Sequence, residues 1–157
     1  MTENSLSDKI MRRAVALATA AGASGEVPVA AIIADPDGQI IAEAVNAMQE
    51  TGQATAHAEM LAMQRAMVKT GALRLTDYDI WVTLEPCAMC AGAISHARLR
   101  RLYFGAYDPK GGAVEHGPCL FSQKTIHHQP EIFGGIHEQV CAELLRNFFK
   151  EKRDSSF

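Results

Sequence analysis

The chain has no run of about 18 apolar residues, so no transmembrane helix is expected in it. Its opening stretch, MTENSLSDKI, lacks a charged segment followed by an apolar core, so no secretory signal is expected either. A cytoplasmic location follows, where thiols stay reduced. The four cysteines (Cys87, Cys90, Cys119 and Cys141) are therefore not expected to form a disulfide framework. Charge of one sign is also lacking: the formal net charge is −3 and the pI is about 6.0. That balance excludes bulk attraction to nucleic acid or an anionic membrane, so any basic patch has to be local. No internal repeat or low-complexity tract is present. What remains is an ordinary globular mix, 48% hydrophobic and 21% charged over 157 residues, a length that fits one domain spanning 1–157.

Patterning predicts the elements. Ser7 is placed to cap a first helix running to about Ala21, with Ile10, Ala14, Leu17, Ala18 and Ala21 at helical spacing and Gly22 and Gly25 ending it. The continuous apolar run 28–34 reads as a strand buried on both faces. The turn Asp35-Pro36-Asp37-Gly38 returns the chain into a second strand, 39–45, as a hairpin. Asn46 to Thr55 reads as a polar loop. Thr55 is the expected cap of a second helix closed by Gly71. Residues 79–84 form a third strand, a helix starts near Pro86, and 100–106 form a fourth strand. A fifth strand over 131–136 and a helix over 138–152 complete the chain. The fold class expected from this order is a three-layer α/β/α arrangement, with helices on both sides of a mixed sheet of about five strands.

The chemistry concentrates in two short stretches. Cys87 and Cys90 form a Cys-x-x-Cys pair, which alone serves redox, structural zinc and catalytic metal chemistry equally well. The discriminating partner is His57-Ala58-Glu59, upstream by one helix and one strand. One imidazole and two thiolates supply three ligands to Zn²⁺. Structural zinc normally takes four, and no fourth ligand stands at suitable spacing. Three ligands leave one position for water. Both ligand groups also fall at expected helix N-termini, where unpaired N–H groups and the helix dipole favour thiolate.

Glu59 sits two residues from His57, about 200° around an ideal helix, so the two side chains would not leave one face. In a first helical turn a long glutamate could still curl toward the metal water. It is assigned here as a non-ligating acid/base that carries a proton from that water to the substrate, a role worth about 10²–10⁴ in rate. A redox use of the cysteine pair would leave the His-x-Glu unexplained. From the residues alone the reading stops at a hydrolytic zinc site with a carboxylate proton shuttle. The combined His-x-Glu…Pro-Cys-x-x-Cys spacing is the known signature of zinc nucleobase deaminases, and the step to deamination comes from that comparison.

The sequence resembles the bacterial tRNA adenosine deaminases of the cytidine-deaminase-like superfamily. The resemblance runs from about Glu26 to Lys152 and is carried by EVPVA (26–30), TAHAE (55–59), VTLEPCAMCAGAI (82–94), RLYFGAYDPKGGA (101–113), His127-His128 and the closing LLRNFFKEKR. It implies a homodimer that converts the wobble adenosine of a tRNA anticodon stem-loop to inosine. It also implies His57, Cys87 and Cys90 as zinc ligands, Glu59 as the catalytic proton carrier, and Asn46 and Ala58 beside the flipped base. Asp108 and Lys110 would face the RNA, Phe149 would stack against the loop, and Arg146, Lys150, Lys152 and Arg153 would supply phosphate contacts. Three sites differ from that family's usual sequence: Ala30 replaces a glycine, Ala47 replaces an arginine, and Gly52-Gln53-Ala54 replaces an Asp-Pro step. All lie on the strand and loop expected to edge the pocket. Two other readings stay open: a deaminase of a free nucleobase or nucleoside, and a non-catalytic zinc-stabilised RNA-binding subunit. Glu59 argues against the second, which would have no need of an acid.

Overall fold

The computed structural model describes residues 5–155. The first helix, α1 (Leu6–Ala23), is capped by Ser5, whose Oγ accepts the Asp8 N–H at 3.2 Å and donates to the Asp8 carboxylate at 2.9 Å. The cap thus lies two residues before the expected Ser7. Asp8, three residues on, completes a reciprocal capping pair with Ser5. Ser7 instead accepts the indole N–H of Trp81 at 3.1 Å.

Strands β1 (Ala30–Ala34) and β2 (Ile40–Val45) form the expected antiparallel hairpin. Its turn closes on Gly38, at φ 85°, with Asp35 Oδ1 accepting the N–H groups of Asp37 and Gln39. The loop after β2, expected to be irregular, contains a one-turn helix, α2 (Met48–Thr51), closed by Gly52 at φ 66°. Then come α3 (Ala58–Thr70), β3 (Asp79–Leu84), α4 (Ala88–Ala97), β4 (Arg101–Ala106), β5 (Glu131–Phe133) and α5 (Glu138–Asp154).

The sheet order is β2-β1-β3-β4-β5. The β2-β1-β3 pairs are antiparallel and the β3-β4-β5 pairs parallel. β5 stops three residues short of expectation because Gly134 and Gly135, the latter at φ 79°, turn the chain; a Cβ on Gly134 would meet the Phe104 ring at 2.6 Å.

Alternation along β1 explains its unbroken apolar run. Ala31 and Ile33 face the layer of α3 and α4, packing with Ile80, Val82, Ala62, Ala66 and Ile94. Ala30, Ile32 and Ala34 face the layer of α1 and α5, with Met11, Ala14, Trp81 and Cys141. Three layers result, as expected. Among the described residues no helix is long and apolar enough to cross a membrane. β2 runs parallel to β3 and β4, so the carboxyl ends of all three lie on one edge of the sheet. In open α/β sheets that edge is where ligands bind.

Candidate metal centre

His57 is the N-cap of α3, not a member of it, and its backbone is extended at φ −76°, ψ 150°. Cys87 occupies the same position on α4, at φ −73°, ψ 175°. Both expected helix starts therefore shift inward: Thr55 does not cap α3, and Pro86 precedes the cap of α4 instead of entering its first turn. The shift settles the angular objection to pairing His57 with Glu59, because an extended N-cap does not follow the helical 100° step. Cys90 lies one turn into α4 and is fully buried.

His57 Nδ1 stands 3.6 Å from Cys87 Sγ and 3.5 Å from Cys90 Sγ. A tetrahedral Zn²⁺, about 2.0–2.1 Å from nitrogen and 2.3 Å from sulfur, needs such donors roughly 3.5–3.8 Å apart. The ligand atoms all lie within 4.8 Å of one another, in the only such cluster among the described residues. The donor set fits zinc in both chemistry and spacing.

The electrostatics point the same way. The Cys87 thiol is lowered to about 5, chiefly because the Cys90 thiol donates to it, with the Cys90 N–H and His57 adding to the effect. Cys90 is pushed up by that same hydrogen bond and by burial. The pair shares a proton that a divalent cation would displace. Two helix N-termini converge on the sulfurs and favour that exchange.

Glu59 is 4% exposed and lies against Cys90, whose thiol hydrogen-bonds it. Burial raises its carboxyl pKa, against an opposing pull from its own backbone N–H. Asn46, at the carboxyl end of β2, is also buried, and its Oδ1 accepts the Ala58 N–H at 2.7 Å. Its Nδ2 meets no described residue. Since no buried side-chain nitrogen or oxygen lacks a partner, Nδ2 reaches solvent-accessible space. The reading of Ala58 as a substrate contact needs correction. The residue is fully buried and its N–H is already committed to Asn46, so it orients that amide.

Of the substituted positions, Ala47 serves the local backbone: its N–H donates to Ala56 O and its carbonyl accepts from the Thr51 N–H and hydroxyl, while the N–H groups of Gln49 and Glu50 run to the buried Glu26 carboxylate at 3.3 and 2.7 Å.

Asp108, Lys110, Arg146 and Phe149 gather around one groove of about 420 Å³, floored by Val27, Leu84, Ala106 and Leu145. Phe149 is 45% exposed while Phe148 is buried, so only the first offers a ring to a ligand. Asp108 Oδ1 also accepts the Lys110 and Gly111 N–H groups at 3.1 and 3.0 Å, shaping its own turn. Lys150, Lys152 and Arg153 do not line the groove; Lys152 lies over the Phe148 ring at 5.3 Å. His127 meets His96 with rings tilted by 39°, and His128 is tied to Ser95 and Leu99, at the end of α4 opposite its cap Cys87.

Sequence reasoning missed Glu85. Its side chain is fully buried beside Pro86-Cys87, and its oxygens collect the N–H groups of Asp108, Val114, Glu115 and His116 at 3.0–3.2 Å and the His116 Nδ1–H at 2.8 Å. Burial would raise its pKa, but these donors outweigh it and hold the carboxyl below its ordinary value. The one sequence signal was an acidic residue between the end of β3 and Pro86-Cys87.

Against known proteins, the family described as the cytidine and deoxycytidylate deaminase zinc-binding region matches residues 4–106. A tRNA-specific adenosine deaminase from Agrobacterium fabrum is 50% identical over 143 residues, covering 91% of this chain and 93% of that protein. One of the same description from Rickettsia bellii is 47% identical over 145 residues, covering 92% and 100% respectively. A solved structure from a study of A-to-I editing by tRNA:A34 deaminases at the wobble position superposes with a TM-score of 0.85 at 48% identity, covering 87% of this chain and 99% of that one.

Proposed function

Since the chain belongs to the cytidine and deoxycytidylate deaminase family and carries its zinc-binding region, we propose that it is a zinc-dependent tRNA adenosine deaminase, converting the wobble adenosine of an anticodon loop to inosine. The observation that carries the chemistry is the His57, Cys87 and Cys90 tripod with the buried Glu59 carboxyl against Cys90. The substrate is supported by the 50% identity to a tRNA-specific adenosine deaminase over nearly the whole chain.

His57, Cys87 and Cys90 hold the zinc, and Glu59 stays outside its ligand set. When bound, the ion supplies an acidified water, with a pKa near about 7, in place of bulk water. Glu59 takes one proton from the attacking water and delivers it to the purine ring nitrogen, then carries the second, from the new C6 hydroxyl, to the departing amine. Water adds at C6, the C6–N6 bond breaks, and ammonia leaves. A carboxyl raised by burial suits this task, since it holds a proton closer to neutral pH than a solvated one. Asn46, oriented through Ala58, donates its free Nδ2–H to an acceptor on the base. The base must leave the anticodon stack to reach this depth. Lys110 and Arg146 meet phosphate and Phe149 stacks in the groove beside the site, a local basic patch on a chain of net charge −3.

The whole chain acts as one domain and as a homodimer in the cytoplasm, where its substrate is. Support for self-association comes from an apolar groove of about 460 Å³ between α3 and α4, lined by Met60, Met63, Met67, Leu73 and Ala93, with Leu73 83% exposed. Sedimentation at micromolar concentration should give twice the chain mass; a monomer there removes the dimer.

The deciding assay offers zinc-loaded protein an anticodon stem-loop with a wobble adenosine and, separately, free guanine, cytosine and adenosine. Inosine should form in the stem-loop alone. Ammonia from a free base with the stem-loop untouched would replace the tRNA reading with free-base deamination.

A further inference from the structure

Glu85 is a buried acid that the mechanism does not use. A carboxylate offers about four lone-pair sites, and here five donors take them: Asp108 N–H and His116 Nδ1–H on Oε1, and the N–H groups of Val114, Glu115 and His116 on Oε2. Nothing is left to hold a metal or move a substrate proton.

All five donors belong to one segment, 108–116, which leaves β4 and carries Asp108 and Lys110 to the groove. Converging backbone N–H groups form an anion-binding concavity, and here the anion comes from the metal motif itself. Two further bonds tie the same parts: Ala113 N–H to Pro86 O at 2.9 Å and Glu85 N–H to Ala106 O at 2.8 Å. Gly112 is the complement of this packing. A Cβ there would stand 2.5 Å from Glu85 Cδ and Oε2 and 2.5 Å from Asp108 O.

We propose that Glu85 is a positioning residue for the RNA substrate, fastening the segment that presents Asp108 and Lys110 to the Pro86-Cys87 turn that holds the metal. Two parts distant in sequence are thereby set at fixed separation, so that the RNA grip and the reacting base fall into register. The substrate half of this inference rests on the tRNA reading; the fastening does not.

The test uses the zinc-loaded full chain and its Glu85→Gln variant, whose amide keeps the shape but turns one acceptor oxygen into a donor. Hydrogen exchange reads the fastening: protection of the Asp108, Val114, Glu115 and His116 amides should fall by about tenfold or more, with β3 and α4 unchanged. Kinetics on the anticodon stem-loop reads the positioning: KM should rise about tenfold while kcat and bound zinc stay within about twofold. Gly112→Ala, which disturbs the same packing from the loop side, should give the same split, and it decides the matter if Glu85→Gln does not fold. Unchanged protection at 108–116, zinc loss with KM unchanged, or a wild-type KM in a folded Gly112→Ala protein overturns the proposal. If wild-type protein leaves the stem-loop untouched, the tRNA reading and the positioning role fall together, and the exchange data still judge the fastening alone.

Discussion

Glu59 lies two residues after His57 and Glu85 two residues before Cys87, 4% and 2% exposed, yet their carboxyl groups shift in opposite directions. Glu59 is raised, because burial outweighs the opposing pull of its own backbone N–H, the Cys90 thiol and His57. Glu85 is lowered, because four backbone N–H groups and an imidazole outweigh the same burial. Burial alone therefore does not set a carboxyl's charge; the supply of donors does. Burial therefore favours the protonated form of Glu59, and the converging donors favour the ionised form of Glu85. The same side chain is thus suited to the proposed proton carrier at one position and to the proposed brace at the other.

The comparison presupposes the cation, so removing it should have the largest effect. Cys87→Ala should lose zinc, all turnover and much of its thermal stability, since metal binding at such a site is coupled to folding. Mass-spectrometric metal analysis and a melting curve check this; a variant with full zinc would mean the tripod is misassigned. Next comes Glu59→Ala, which should keep zinc and fold while turnover drops by about 10²–10⁴. Single-turnover rates would show it, and unimpaired turnover would erase the functional half of the contrast.

The stability half is smaller and has a sign for each residue. Glu85→Gln should cost about 1–3 kcal/mol near neutral pH, since it leaves buried donors poorly matched. Glu59→Gln should be neutral or slightly stabilising, because it removes a buried charge. The pH dependence separates them further. The lowered pKa of Glu85 contributes stability above the ordinary carboxyl range, lost as pH falls through the lowered value. The Glu85→Gln deficit should therefore shrink in acid, below about pH 4. The raised pKa of Glu59 favours the fold while the group is protonated, and that advantage disappears as pH rises through the raised value. The benefit of Glu59→Gln should thus appear only at the higher pH. Melting temperatures of both variants against pH check this; parallel curves would dissolve the distinction.

The smallest effect supplies the baseline. Glu43 pairs with Arg13 at 2.8 Å, but the two side chains are 33% and 52% exposed. Glu43→Gln should shift the melting temperature by little more than its measurement error, and less still at high salt. A large shift there would show that burial does not govern what a carboxyl contributes to stability.

Much of the architecture could be read before the fold was seen. The apolar run of β1 announced burial on both faces, and the Asp-Pro-Asp-Gly turn announced the hairpin. His57, Glu59, Cys87 and Cys90 could be picked out because their spacing is a chemical requirement. The misses share a cause. The first cap moved from Ser7 to Ser5 because Ser5 is the side chain that reaches a free N–H, and the start of α3 moved from Thr55 to His57, which caps nothing itself, because Asn46 from across the loop accepts the Ala58 N–H. Ala58 was misread as a substrate contact because its commitment to Asn46 spans a loop. Glu85 escaped because its partners are backbone amides, which carry no residue signature.

The linear order of residues determined the layered α/β architecture and the donors for a zinc ion, since hydrophobic period and ligand type are local properties that any fold must respect. Only the tertiary structure decided which carboxyl is raised and which is lowered. That choice depends on how many N–H groups converge on each carboxylate, and those groups arrive from segments that the chain brings together only on folding.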